Sequence, residues 1–243
     1  MTNTRFANPS GQADAQNYSS VEDIAKLAVR LLGDFPTFAP LHGMREFTYN
    51  GVTQASRNRL LWSDASIDGM KTGHLETAGY SIVATATRAQ GSGERAFSRR
   101  LIAVVLGAPS EALRAQETLR LLNFGYSAFD TVRLYRQGDV LARPEVWKGD
   151  RVSVPIGVER DVYVTVASDE LQSLGAEGLR SMVERPDPLI APLRRGETVG
   201  RLRISAGGRE LTDVPVVAFE GVDEAGLFGR AYDAIRLWWR RRN

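Results

Sequence analysis

Asp68-Gly69-Met70-Lys71-Thr72-Gly73-His74 leads through Ala78-Gly79 into the alternating segment Tyr80–Thr87 (YSIVATAT), and later into the apolar run Leu101–Leu106 (LIAVVL). The alternation predicts a half-buried strand and the continuous run a fully buried one. Pro109-Ser110 then opens a helix expected to run through about Asn123 and to stop near Gly125. Two strands followed by a helix predict an antiparallel sheet with a helix packed on it. The Lys71-Thr72-Gly73 step at its start is unusual for this chain. Of 31 basic residues only Lys26, Lys71 and Lys148 are lysines. A chain so rich in Arg keeps Lys where a compact ammonium on a flexible stem is needed.

The sequence before this stretch is patterned too. Residues 1–18 are polar and turn-rich and read as a loop. Ser20 caps a predicted helix carrying Val21, Ile24, Leu27, Ala28, Leu31 and Leu32 at helical spacing, closed by Gly33. Asn50-Gly51 predicts a hairpin within residues 45–62. Beyond Thr131 short β-type segments alternate with Gly, Pro and Asp: Val132–Tyr135, Arg151–Pro155, Val162–Ala167, Val199–Ser205 and Val214–Phe219. These predict a small all-β domain, with Gly207-Gly208 as a turn.

Taken together, Asp68–His74, Ala78-Gly79-Tyr80, Phe47-Thr48-Tyr49-Asn50-Gly51, Asn58-Arg59-Leu60-Leu61-Trp62 and Tyr18-Ser19-Ser20 resemble the serine-type D-alanyl-D-alanine carboxypeptidases, the low-molecular-mass penicillin-binding proteins. Phe6-Ala7-Asn8-Pro9-Ser10-Gly11, Glu145-Val146-Trp147 and Val158–Tyr163 extend the likeness over essentially the whole chain. The resemblance implies an α+β fold. A partial serine β-lactamase/transpeptidase-like domain (1–130) carries the K-T-G, an all-β domain (131–222) follows, and an amphipathic membrane-surface helix (223–243) ends the chain. It implies an enzyme at the periplasmic face of the cytoplasmic membrane. Such an enzyme removes the terminal D-Ala of peptidoglycan stem pentapeptides through an acyl-serine, and β-lactams acylate the same serine. The K-T-G would form one wall of the cleft. Lys71 would add positive potential, Thr72 would bind a substrate carboxylate and Gly73 would let the substrate backbone come close. His74 would either shape the cleft or serve as a hydrogen-bonded structural residue.

The departures from that pattern are large. No Ser is followed three residues later by Lys, because Lys26, Lys71 and Lys148 have Asp23, Asp68 and Glu145 at that distance. Ser56-Arg57-Asn58 matches S-x-N only formally. The chain is thus expected to be a C-terminal portion, inactive by itself, lacking the nucleophile and its lysine base. After Leu106-Gly107 the family often places an arginine, where Ala108-Pro109-Ser110 stands here. A non-catalytic, membrane-associated module binding peptidoglycan or a partner is the alternative. A β-lactamase relative, which would not usually carry the β domain or the tail, ranks below both.

On a helical wheel Leu227, Phe228, Ala231, Tyr232, Ile235, Trp238 and Trp239 fall on one arc, opposite Arg230, Asp233, Arg236, Arg240 and Arg241, with Arg242 extending the terminal cluster. Aromatics at the headgroup level and cations toward anionic lipid suit an in-plane anchor. A helix docked on its own domain or on a partner would show the same wheel. The tail supplies more positive charge than the formal net of +2, so the body is slightly acidic. That distribution argues against a nucleic-acid surface. With no Cys and only His42 and His74, neither a metal nor a cofactor is expected. No apolar run is long enough to span a bilayer, and no signal-peptide pattern follows Met1. Trp62 and Trp147 are expected in the core.

Overall fold

The computed structural model describes residues 1–91, 93, 96–174 and 178–226. By its internal contacts the chain divides into two compact units, Met1–Ala128 and Phe129–Asn243.

In the first unit, helix α1 (Val21–Asp34) starts where the Ser20 hydroxyl accepts the Asp23 amide at 3.2 Å. Asp23 is itself buried and accepts from the Thr4 hydroxyl and the Asn3 amide, each at 2.8 Å. Those bonds, the Thr4 hydroxyl foremost, hold its carboxyl below the usual range against the opposing effect of burial. After the short helix α2 (Ala39–His42), strands β1 (Glu46–Tyr49) and β2 (Val52–Ala55) pair around Asn50-Gly51 as the hairpin signal predicts. Helix α3 (Leu60–Ser63) is followed by β3 (Ile67–Leu75), β4 (Gly79–Gln90) and β5 (Phe97–Ala108), an antiparallel sheet in the order β3-β4-β5. Helix α4 (Glu111–Ser127), capped by the Ser110 hydroxyl, packs on β5 and β4. Leu60, Leu61, Ile67, Ile82, Ala84, Ala86, Ala103 and Leu122 form the core.

Three details depart from the sequence expectations. The alternating segment, not the apolar run, is the better buried strand: Ile82, Ala84, Thr85 and Ala86 are buried on β4, whereas on β5 only Ala103 of Leu101–Leu106 is, and Leu106 is exposed. The cause is position, because β4 is central in the sheet and β5 lies at its edge. Helix α4 runs through Gly125 to Ser127. A Cβ at Gly125 would lie 2.8 Å from a Leu101 methyl, so this glycine serves close helix–sheet approach and not termination. Trp62 is exposed, with the Arg59 guanidinium 5.9 Å above its ring, while Trp147 is buried as expected.

The second unit is sheet-rich. It contains β6 (Phe129–Tyr135), β7 (Val140–Ala142), β8 (Val146–Trp147), β9 (Ile156–Gly157), β10 (Val162–Ala167), a short helix α5 (Ser168–Leu174), β11 (Leu179–Glu184), β12 (Leu189–Ile190), β13 (Thr198–Ala206) and β14 (Arg209–Ala218). Five strands join in the order β11-β13-β14-β9-β7, β10 pairs with β6, and β8 runs parallel to β12. Alternation on β10 buries Val162, Val164 and Val166, and the first two meet Ile156, Leu202, Ile204 and Val216 in one core. Arg151–Pro155 is not a strand; it holds only an isolated bridge between Ser153 and Glu145. Helix α5 interrupts the all-β pattern because Ser168-Asp169-Glu170 supplies an acidic helix start directly after β10. Among the described residues no helix is long and apolar enough to cross a membrane. Residues 227–243, with Leu227, Phe228, Tyr232, Ile235, Trp238, Trp239 and Arg240-Arg241-Arg242, lie outside the described residues.

Candidate active-site wall

Lys71-Thr72-Gly73-His74 sits on β3, the outer strand of its sheet among the described residues. Pairing runs Lys71↔Val83, Thr72↔Ile82, Gly73↔Ser81 and His74↔Tyr80, so the other edge of the tetrapeptide is not used by the sheet. The strand's alternation buries Thr72 and exposes Lys71 and Gly73. The Lys71 ammonium donates to the carbonyl of Thr72. His74 stacks on Tyr80, ring centroids 3.9 Å apart and planes inclined by 25°.

Thr72, Gly73, His74 and Tyr80 line a cavity of about 340 Å³. The opposite lining comes from Ser56, Arg57 and Arg59 between β2 and α3, and from Glu111 and Arg114 at the start of α4. Three arginines and one carboxylate residue, Glu111, thus line the cavity together with Thr72. That balance suits an anion, and a carboxylate matches the fork of an arginine best. Lys71 is exposed and is not among the lining residues, although its ammonium reaches back to the Thr72 carbonyl.

The sequence brought forward Lys71, Thr72, Gly73 and His74; the structure adds Arg57, Arg59, Arg114, Glu111 and Tyr80. Arg114 had a signal. It falls four residues before Thr118 and eight before Leu122, and these three are the buried residues of α4. The formally matched Ser56-Arg57-Asn58 has a structural reason: Ser56 Oγ accepts the Asn58 amide at 3.2 Å, shaping the turn that holds Arg57 beside the cavity.

Known proteins are similar to this chain over most of its length. The family model described as D-alanyl-D-alanine carboxypeptidase matches residues 1–110, and that of the penicillin-binding protein 5 C-terminal domain matches residues 129–224. The D-alanyl-D-alanine carboxypeptidase DacC of Escherichia coli K12 is 35% identical over 238 residues, 98% of this chain and 56% of the relative. The chain belongs to the D-alanyl-D-alanine carboxypeptidase family. DacA of Haemophilus influenzae is 33% identical over 239 residues, 98% of this chain and 58% of that carboxypeptidase. Among solved structures, penicillin-binding protein 5 from Haemophilus influenzae superposes with a TM-score of 0.75 at 30% identity, covering 91% of this chain and 61% of the other. The carboxypeptidase DacD from Francisella tularensis gives a TM-score of 0.56 at 25% identity, over 93% and 65% of the two chains. The chain therefore spans a little over half the length of the curated carboxypeptidases it matches.

Proposed function

We propose that this chain contributes the substrate-binding wall of a serine D-Ala-D-Ala carboxypeptidase, which trims the terminal D-Ala from peptidoglycan stem pentapeptides through an acyl-serine. One observation carries the reading: Thr72 and Gly73, on an outer strand, share a cavity with Arg57, Arg59 and Arg114. The free edge of β3 offers main-chain donors and acceptors to an extended peptide, as in strand addition. Gly73 presents no side chain to keep that backbone away. The Thr72 hydroxyl and Arg57, with the positive potential of the other arginines, take the carboxylate of the terminal D-Ala. β-Lactams, which carry a carboxylate on a peptide-like frame, are held the same way. Acylation itself needs a serine and a base, and no serine of this sequence has a lysine three residues on.

Two measurements test this. Titration of the chain with N-acetyl-D-Ala-D-Ala, followed by amide NMR shifts, is expected to move Arg57 and Thr72–His74, with the free acid preferred over its C-terminal amide. Equal binding of acid and amide would sink the carboxylate assignment. Incubation with a labelled penicillin is expected to leave no covalent adduct, and an adduct on any serine would overturn the inactivity of this chain.

For residues 227–243 we infer an in-plane membrane anchor on the periplasmic side. The apolar and aromatic arc with its opposing arginines supports it.

A further inference from the structure

Arg57 is exposed, on the turn between β2 and α3, where its guanidinium has no rigid element of its own. Two buried polar side chains hold that turn from opposite sides. Asn58 Nδ2 donates to the Gly69 carbonyl at 3.1 Å, while its Oδ1 accepts the Leu60 amide at 3.2 Å, tying the turn to β3. Arg114 reaches from α4 and donates through Nη2 to the Arg57 carbonyl at 3.3 Å and to Glu111 Oε1 at 3.1 Å. Its guanidinium also lies 5.8 Å from the Tyr80 ring, which carries the His74 stack.

Arg114 is costly where it stands. It is 4% exposed, and its Nε is buried without a hydrogen-bond partner among the described residues. Burying a guanidinium with one donor unsatisfied is unfavourable, and a packed apolar side chain would stabilise the same space better. The geometry Arg114 controls is local: with Asn58 it fixes the carbonyl of Arg57 relative to Thr72 and Gly73.

We propose that Arg114 is a positioning residue for carboxylate recognition, setting the span between the Arg57 guanidinium and the Thr72-Gly73 edge. This rests on the carboxylate reading of the cavity. A bidentate guanidinium–carboxylate contact tolerates little displacement. Losing the tie to Arg57 therefore removes the preference for an anionic terminus, while contacts to the neutral part of the peptide persist.

The test uses the full chain and compares N-acetyl-D-Ala-D-Ala with its C-terminal amide by NMR titration. Equal binding of acid and amide by the unaltered chain would remove the carboxylate reading and this proposal with it; if that preference exists but Arg57→Ala leaves it unchanged, the carboxylate reading stands and this proposal fails. Where Arg57→Ala abolishes the preference, Arg114→Lys decides the proposal alone. Lysine keeps the charge but not the fork, so the preference is expected to fall about tenfold, the size of one charge-assisted hydrogen bond, with amide affinity retained. A full preference in Arg114→Lys would overturn the proposal. Should Arg114→Lys not fold, Glu111→Gln decides. It keeps an acceptor for the same Nη2 but removes its negative charge, and with it the one carboxylate of the lining, so the preference should be held or increased. A decrease would assign the positioning to Glu111 and overturn the role of Arg114.

Discussion

Asp68 is the residue that fixes which way the K-T-G faces. Pairing passes from Ile67↔Ala86 to Gly69↔Thr85, so Asp68 is the extra residue of a β-bulge. A slip of one residue would turn Lys71, Thr72 and Gly73 to the opposite face. The Asp68 carboxylate locks the bulge by accepting from Thr85 Oγ1 at 2.6 Å, Thr87 Oγ1 at 2.8 Å and Arg100 Nη2 at 2.6 Å. A Cβ on Gly69 would lie 2.9 Å from that same Thr85 hydroxyl, which is why glycine follows the aspartate. Burial alone would raise the Asp68 pKa, but the two threonine bonds and the Arg100 charge outweigh it and hold the carboxyl below its ordinary value. A depressed folded-state pKa gives stability that is present above the unfolded value of about 3.9 and lost as pH falls through the lower folded value. Asp68→Asn is thus expected to lower stability by about 1 kcal/mol at pH 7, a modest figure because the ion pair is partly solvated. The gap between wild type and variant should close on acidification below pH 4. Urea melts at several pH values check this, and a pH-independent difference would count against it. The sequence singled out Lys71-Thr72-Gly73 by the rarity of lysine. It gave no hint that Asp68 would be a bulge, because an inserted residue leaves no mark on composition.

At the scale of elements, helix α4 does two tasks from one face. Arg114, Thr118 and Leu122 lie on one stripe, so the first turn reaches the cavity while the later turns bury Leu122 among Ala84, Ala86 and Ala103. Small residues on β4 and β5 let the helix come close, and Tyr126 closes the contact by donating to the carbonyls of Ala86 at 2.7 Å and Arg99 at 3.1 Å. Leu122→Ala is expected to destabilise the first unit by about 3 kcal/mol, within the range for a truncated core leucine. A lowered urea midpoint with little change in slope would verify it. The helix start was legible because Ser110 is a good cap. Its end was not, because Gly125 has a packing role that only the Leu101 neighbour reveals. The reversal of burial between β4 and β5 has a similar cause, since strand order is a tertiary property that local hydrophobicity does not encode.

Across the whole molecule, the two units differ in how they close. The second keeps Val154, Ile156, Val158, Leu202, Ile204, Val216 and Val222 almost fully inaccessible. The first leaves Phe35, Phe38, Leu41, Phe47, Tyr49 and Val52 largely exposed. For the tail, deletion of residues 227–243 is expected to abolish co-sedimentation with vesicles containing anionic lipid, with binding by the full chain weakening as salt rises. Unchanged co-sedimentation of the truncated chain would remove the anchor reading. The sequence by itself determined the α+β class, the helix caps, the Asn50-Gly51 hairpin, the strands β6, β10, β13 and β14 of the sheet-rich unit and the family, because caps, turns and alternation are local and short motifs are read directly. Only the tertiary structure decided that β4 is central, that Asp68 bulges, and that Arg57 and Arg114 meet Thr72 across one cavity. Those outcomes depend on pairing between residues far apart in the chain, where each contact is chosen by what the rest of the fold leaves available.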